Sequence, residues 1–197
     1  ANPAGAYAGN ELGSVNNLTG NASSSMGPGI LKSVSQPAVM ITASESFFLQ
    51  AEANLRGWIG AAGDDVNNFN SGVTASFEYL GAATSGQTPD QTAAAYVAQS
   101  GNKQTNYSAC TTFDEKLACI IRQKWLAMNS ITPFEAWSDY RRLGLPADIP
   151  ISVSLYRDGP NIPVRILYPT SEYTTNAANV GAEGTIDGHT SKIFWMP

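Results

Sequence analysis

The sequence predicts a mainly α-helical fold of antiparallel helix pairs flanked by extended, loop-rich termini. Two observations carry this expectation. Four tracts read Thr-x-x-Glu or Thr-x-x-Gln, at Thr42, Thr88, Thr112 and Thr132, the pattern in which a threonine hydroxyl and an acid or amide three residues on satisfy free N–H groups at a helix start. Each tract except the alanine-rich one at Thr88 is followed by apolar residues spaced three and four apart, which places them on one face of a helix.

The helix opened by Thr42 and Glu45 is expected over residues 42–59. Phe48, Ala51, Leu55 and Trp58 form its stripe, Glu52 and Arg56 stand four apart as an exposed pair, and Gly57 or Gly60 can end it. After the glycines at 60 and 63, Asp64 or Asp65 caps a second helix over 64–80, with Val66, Phe69, Val73, Phe77 and Leu80 inward and Gly81 as its stop. The short loop between them makes a helical hairpin.

Thr88-Pro-Asp-Gln opens a short helix over 89–99, with Pro89 at its first position. A polar loop over 101–109 leads to the helix over 112–129, whose stripe is Phe113, Leu117, Ile121, Trp125 and Met128. Thr132-Pro-Phe-Glu opens the last long helix, over 133–143, with Phe134, Trp137, Tyr140 and Leu143 inward before Gly144. No clean period of about 34 residues matches the tetratricopeptide consensus. The chain is therefore divided into a loop-rich arm over 1–36, a helical-hairpin core over 37–145 and an extended segment over 146–197 that packs on the core, one domain overall. Within that last segment 149–156 and 163–168 alternate and are broken by Pro150, Pro160 and Pro163, so they read as edge strands or extended stretches. Residues 171–180 can form a short helix.

Composition limits the function. Charged residues are 14% of the chain, about half the usual share. That figure, with abundant Gly, Asn, Ser and Thr, suits an exported protein. A net charge of −5 without any Lys/Arg cluster argues against nucleic acid. No stretch approaches membrane-spanning length. The chain begins at Ala, which suggests a processed or truncated product. The triplets at Asn17, Asn21 and Asn106 match the glycosylation sequon at a frequency that chance explains.

No catalytic constellation is legible. His189 is the only histidine, in Asp187-Gly-His-Thr, where a solvated loop role is expected. It has no second histidine for a zinc site and no nucleophile elbow for a triad. Glu45, Glu115 and Glu135, the strongest acid candidates, are accounted for as capping groups. Cys110 and Cys119, nine residues apart, could bond in an oxidising compartment or lie buried as free thiols. Trp58, Trp125 and Trp137 fall on core stripes. Tyr7, Tyr107 and Tyr156 sit in loops, where a ring can stack on a sugar face or a partner, and they are the candidate ligand-binding residues.

Several tracts together resemble the SusD/RagB family of surface nutrient-binding lipoproteins. They are Leu31-Lys-Ser, Gln36-Pro-Ala-Val, the helix from Glu45 to Gly57, and Gly72-Val-Thr-Ala-Ser. Lys124-Trp-Leu-Ala-Met-Asn, Pro133-Phe-Glu-Ala-Trp-Ser-Asp-Tyr-Arg-Arg and Leu167-Tyr-Pro-Thr-Ser-Glu-Tyr-Thr-Thr-Asn complete the set, in order from about Ile30 to Met196. The resemblance implies tetratricopeptide-like helix pairs in a SusD-like α–α superhelix, lipid-anchored at the outer surface of a Bacteroides-type bacterium. Such a protein passes oligosaccharides or other nutrients to a TonB-dependent, SusC-like transporter, with no cofactor, metal or bond breaking. The family is longer than this sequence, so the chain is expected to correspond to its C-terminal part, with the anchor cysteine and much of the ligand pocket elsewhere. Trp137 and Arg141 match the motif and are expected to act structurally. A helix-pair scaffold for another protein is the alternative; a glycan hydrolase or lyase is disfavoured by the missing catalytic groups.

Overall fold

Five long helices stand where the capping signals place them in the computed structural model, which describes residues 8–15 and 23–197. They are α1 (Ala43–Leu55), α2 (Asp64–Leu80), α3 (Pro89–Val97), α4 (Phe113–Met128) and α5 (Pro133–Leu143), followed by the short α6 (Thr170–Thr175) and α7 (Ala177–Ala182). No strand forms among the described residues. The chain divides into two compact units, one of residues 26–147 and one of Ala1–Ser25 with Asp148–Pro197.

The helical unit is built around the α1–α2 hairpin. Thr42 Oγ1 accepts the Glu45 N–H at 3.0 Å and starts α1. The helix ends earlier than its stripe suggests. Gly57 adopts a left-handed φ of 71°, its N–H donates to the Asn54 carbonyl, and the Trp58 N–H donates to that of Ala53, each at 2.9 Å. That pair of bonds is a Schellman stop. It turns Trp58 out of the helix and leaves it 69% exposed, which corrects its assignment to the core.

Phe48 and Phe69 meet edge to face across the hairpin at 6.0 Å. The helices approach this closely because residue 72 is glycine: a Cβ there would lie 2.9 Å from the Phe48 ring. Ser44 Oγ reinforces the crossing by donating to the Gly72 carbonyl at 2.7 Å. The N-cap of α2 is Gly63, with no side-chain cap. Asp64 instead accepts the Ala61 N–H, and Asp65 points to Tyr107, so neither aspartate caps as expected.

α4 crosses α1 and closes the core with Leu117, Ile120, Ile121 and Met128. Its capping box is complete: Thr112 Oγ1 accepts the Glu115 N–H and Glu115 Oε2 accepts the Thr112 N–H. At α3 the Thr88 N–H donates to Gln91 Oε1 at 3.1 Å. The box expected at α5 does not form. Thr132 makes no side-chain cap and its hydroxyl is buried without a hydrogen-bond partner. The buried face of α5 also differs from its apolar stripe, since Ala136 and Asp139 are inward while Phe134 is exposed.

In the other unit the proline-broken stretches stay extended without forming a ladder. The Val153 N–H donates to the Leu12 carbonyl at 2.8 Å, and Val164 and Arg165 both donate to the Gly188 carbonyl. Three prolines, at 150, 160 and 163, lack the N–H that a ladder needs. The helix expected over 171–180 appears as α6 and α7, divided at Asn176 (φ −132°, ψ 32°). Among the described residues no helix is long and apolar enough to cross a membrane.

Candidate functional site

α5 turns Asp139 inward because α4 presents a buried lysine. Lys124 Nζ lies 2.7 Å from Asp139 Oδ2, with both side chains almost fully buried. Asp139 Oδ1 takes a second cation, Arg142, at 2.8 Å. Arg142 in turn grips Glu52 of α1 in two-pronged fashion, one bond to each carboxylate oxygen, and Arg56 adds a third contact to Glu52 at 2.8 Å. Burial alone would raise the Glu52 pKa, but the bonds and charges of Arg142 and Arg56 outweigh it and hold the carboxyl below its ordinary range. The network joins α1, α4 and α5 and fixes their rotation about their axes. The expectation that Glu52–Arg56 is simply an exposed pair is corrected: Glu52 is buried.

Glu45 lies beside this network, and its Oε2 is buried with no hydrogen-bond partner. Burial raises its pKa against the pull of Lys124, and Glu135 and Asp139 add to the rise. At the start of α1 the Thr42 hydroxyl caps the helix, while the Glu45 carboxyl is a buried acid beside the ion pairs. Among the described residues no three His, Cys, Asp or Glu side chains are placed to hold a metal ion.

The candidate aromatics separate. Tyr7 lies outside the described residues. Tyr107 is 2% exposed, stacked on Phe69 at 5.1 Å, and its hydroxyl donates to Asp65 at 2.7 Å. It sits in a 3-10 turn (Tyr107–Ala109) started by Asn106, whose side chain accepts the Ser108 N–H. Its ring has no face to offer a sugar, and the polar texture of 101–109 concealed a core residue. Tyr156, in contrast, is 97% exposed. His189 is packed rather than solvated: its ring nitrogen Nδ1 lies 2.7 Å from the Asn161 carbonyl, its side chain is 8% exposed, and the ring sits so close to Gly159 that a Cβ there would clash at 2.7 Å.

One cleft of about 280 Å³ opens in the helical unit between the segment Gln36–Val39, Tyr79 at the end of α2, and Ser130 and Ile131 in the α4–α5 turn. Lys32 lies beside it, donating to the Tyr79 carbonyl at 2.7 Å and stacking over the Tyr79 ring. That volume lies at the lower end of the range usual for ligand pockets. The spacing of residues in sequence gave no sign of it, because Gln36–Val39, Tyr79 and Ser130–Ile131 come from three distant parts of the chain.

Stacked helix pairs with a charge-locked seam define an all-α protein of the helical-repeat class. The chain belongs to the SusD-like family, described as SusD and RagB outer membrane lipoproteins, whose model matches residues 4–196. No curated protein matches the chain significantly. Among solved structures, an outer membrane protein of Bacteroides vulgatus whose description links it to nutrient binding is 28% identical with a TM-score of 0.63, over 82% of this chain and 35% of that one. A Bacteroidetes AC2a SusD-like protein is 29% identical with a TM-score of 0.64, over 82% and 31%. A chitin-binding SusD homologue of Flavobacterium johnsoniae is 28% identical with a TM-score of 0.58, over 77% and 35%. The chain spans about a third of the length of these proteins.

Proposed function

We propose that this chain is the helix-pair part of a glycan-binding protein held at the outer-membrane surface, which delivers its ligand to a TonB-dependent, SusC-like transporter without breaking bonds. The family match over residues 4–196 carries the reading, and the similarity to a chitin-binding homologue supports glycans as the ligand class. The helical unit supplies the scaffold. Its charged residues lock helices together, and its aromatics Phe48, Phe69 and Tyr107 fill the core. Of the two candidate tyrosines among the described residues, Tyr156 has the exposed ring that sugar stacking needs.

Titration calorimetry with chito-oligosaccharides and other neutral oligosaccharides tests the reading. Saturable heat that is lost in Tyr156→Ala, with no sugar released on prolonged incubation, is the expected result. Turnover of any glycan would replace the proposal with an enzyme. Failure of a tagged chain to recover a β-barrel transporter from native outer membranes would remove the delivery role.

A further inference from the structure

We propose that Asp158, in the pair Asp158-Gly159, is a spontaneous modification site at which the chain isomerises from aspartyl to isoaspartyl and loosens the seat of His189. The chain contains two Asp-Gly pairs, Asp158-Gly159 and Asp187-Gly188. A glycine after an aspartate puts no side chain in the way of its own amide nitrogen, so that nitrogen can reach the aspartate carboxyl carbon. The same chemistry is written twice in the sequence, and the structure separates the two copies.

Asp187 is tied down. Its Oδ1 accepts the His189 and Thr190 N–H groups at 2.8 Å each and the Thr190 hydroxyl at 2.9 Å. Its own N–H donates to Ser191 Oγ at 2.9 Å, and its carbonyl accepts the Ser191 N–H at 3.0 Å. These bonds fix the carboxylate and the main chain beside it. The His189 N–H, followed by the Thr190 hydroxyl, also holds the carboxyl below its ordinary pKa range. It therefore stays in the ionised form that an amide nitrogen attacks poorly.

Asp158 is not held in this way. Its side chain is fully exposed, and its Oδ2 lies 3.7 Å from His189 Nε2, too far for a hydrogen bond. The proton of the neutral ring is engaged elsewhere, since His189 Nδ1 donates to the Asn161 carbonyl at 2.7 Å.

The reaction needs only water. The Gly159 nitrogen, losing its proton, bonds to Asp158 Cγ, and one carboxyl oxygen leaves as water, which closes a five-membered succinimide. Water then adds to one of the two ring carbonyls. Opening at Cγ restores aspartate; opening at the Asp158 main-chain carbonyl carbon leaves Gly159 joined through Cγ. No electrons are exchanged and the final mass is unchanged. The main chain gains one methylene just before Gly159, which packs so closely on His189 that a Cβ there would stand 2.7 Å from the ring. Displacing Gly159 and Asn161 removes that packing and the Nδ1 hydrogen bond.

The chain is incubated for weeks at mildly acid pH, native and in guanidinium chloride, then digested with trypsin. Cleavage at Arg157, Arg165 and Lys192 puts the two pairs in separate peptides, 158–165 and 166–192. Isoaspartyl methyltransferase and mass spectrometry measure the isoaspartate in each. In native chain the Asp158 peptide should gain it at least about tenfold faster, because Asp187 must first break bonds to its charged group. In denaturant the two rates should converge. His189 is the only histidine, so its ring protons give one set of NMR signals, and a second set should grow in step with the isoaspartate. Asp158→Glu, whose longer side chain closes a ring far more slowly, should show neither change. Equal native rates, faster reaction at Asp187, or an Asp158 peptide that stays unmodified in native chain would overturn the site. Isoaspartate at Asp158 with unshifted His189 signals would overturn its effect on the ring.

Discussion

Lys124 and Asp139 form a buried ion pair 2.7 Å apart, and their separation in sequence by one turn and two helix ends makes them the lock between α4 and α5. Removing Lys124 takes away the buried partner of Asp139 and leaves that carboxylate only its half-buried contact with Arg142. Lys124→Met should destabilise the chain by about 3–5 kcal/mol. The double variant Lys124→Met/Asp139→Leu should recover much of that, because Arg142 keeps its bonds to Glu52. Urea titrations of the single and double variants check both expectations.

Glu45 and Glu52 should respond to pH in opposite senses. The folded pKa of Glu52 lies below its ordinary 4.5, so its contribution is present above about pH 4.5 and is lost as pH falls through the folded value. Glu52→Gln should cost about 1.5–3 kcal/mol at pH 7 and progressively less in acid. The folded pKa of Glu45 lies above 4.5. Its contribution is present below that pH and is lost as pH rises through the folded value. Glu45→Gln should therefore gain stability relative to the native chain between pH 4 and pH 7. Melting curves across that range would expose a wrong sign in either variant.

Gly72→Ala sets two effects against each other. Alanine favours the helix by about 0.5–1 kcal/mol, but its Cβ would meet the Phe48 ring at 2.9 Å. Phe48 is buried in the core against Phe69, so a shift of its ring disturbs the packing around it. Overpacking of about 1–3 kcal/mol should win, and the variant should unfold at lower denaturant. A stabilised variant would mean that the α1–α2 crossing is looser than described.

Two threonines at matching sequence positions should behave differently. Thr112→Ala removes a cap whose hydroxyl accepts the Glu115 N–H and should cost about 1 kcal/mol. Thr132→Ala removes a hydroxyl that is buried without a partner, and should fall within about 0.5 kcal/mol of the native chain. Chemical denaturation of the pair decides it.

Tyr107 and Tyr156 separate stability from binding. Tyr107→Ala should cost about 3–5 kcal/mol by opening a cavity under Phe69, and Tyr107→Phe should cost less by leaving only Asp65 short of a donor. Tyr156→Ala should change stability by no more than about 0.5 kcal/mol while weakening glycan binding. Thermal melts beside calorimetric titrations distinguish the two roles.

Helix number, order and start sites were legible in the sequence because they depend on neighbours: Thr112 and Glu115 lie three residues apart, and Gly57 and Gly81 stop helices through their own φ. The family, too, was legible in motifs such as Pro133-Phe-Glu-Ala-Trp-Ser-Asp-Tyr-Arg-Arg. Which way a helix faces is a different kind of fact. The apolar residues of α5 pointed to Phe134 as the inward side, yet the helix buries Asp139, because a lysine buried on α4 needs an anion more than the core needs another ring. Trp58 left the core for a similar reason, since the stop at Gly57 acts before the stripe is complete. Tyr107 looked like a loop residue among polar neighbours, and only the approach of Phe69 and Asp65, some 40 residues earlier in the chain, made it core. Short-range hydrogen bonding and dihedral preference are written locally, whereas burial and charge pairing are properties of chain segments brought together, and tertiary structure alone assigns them.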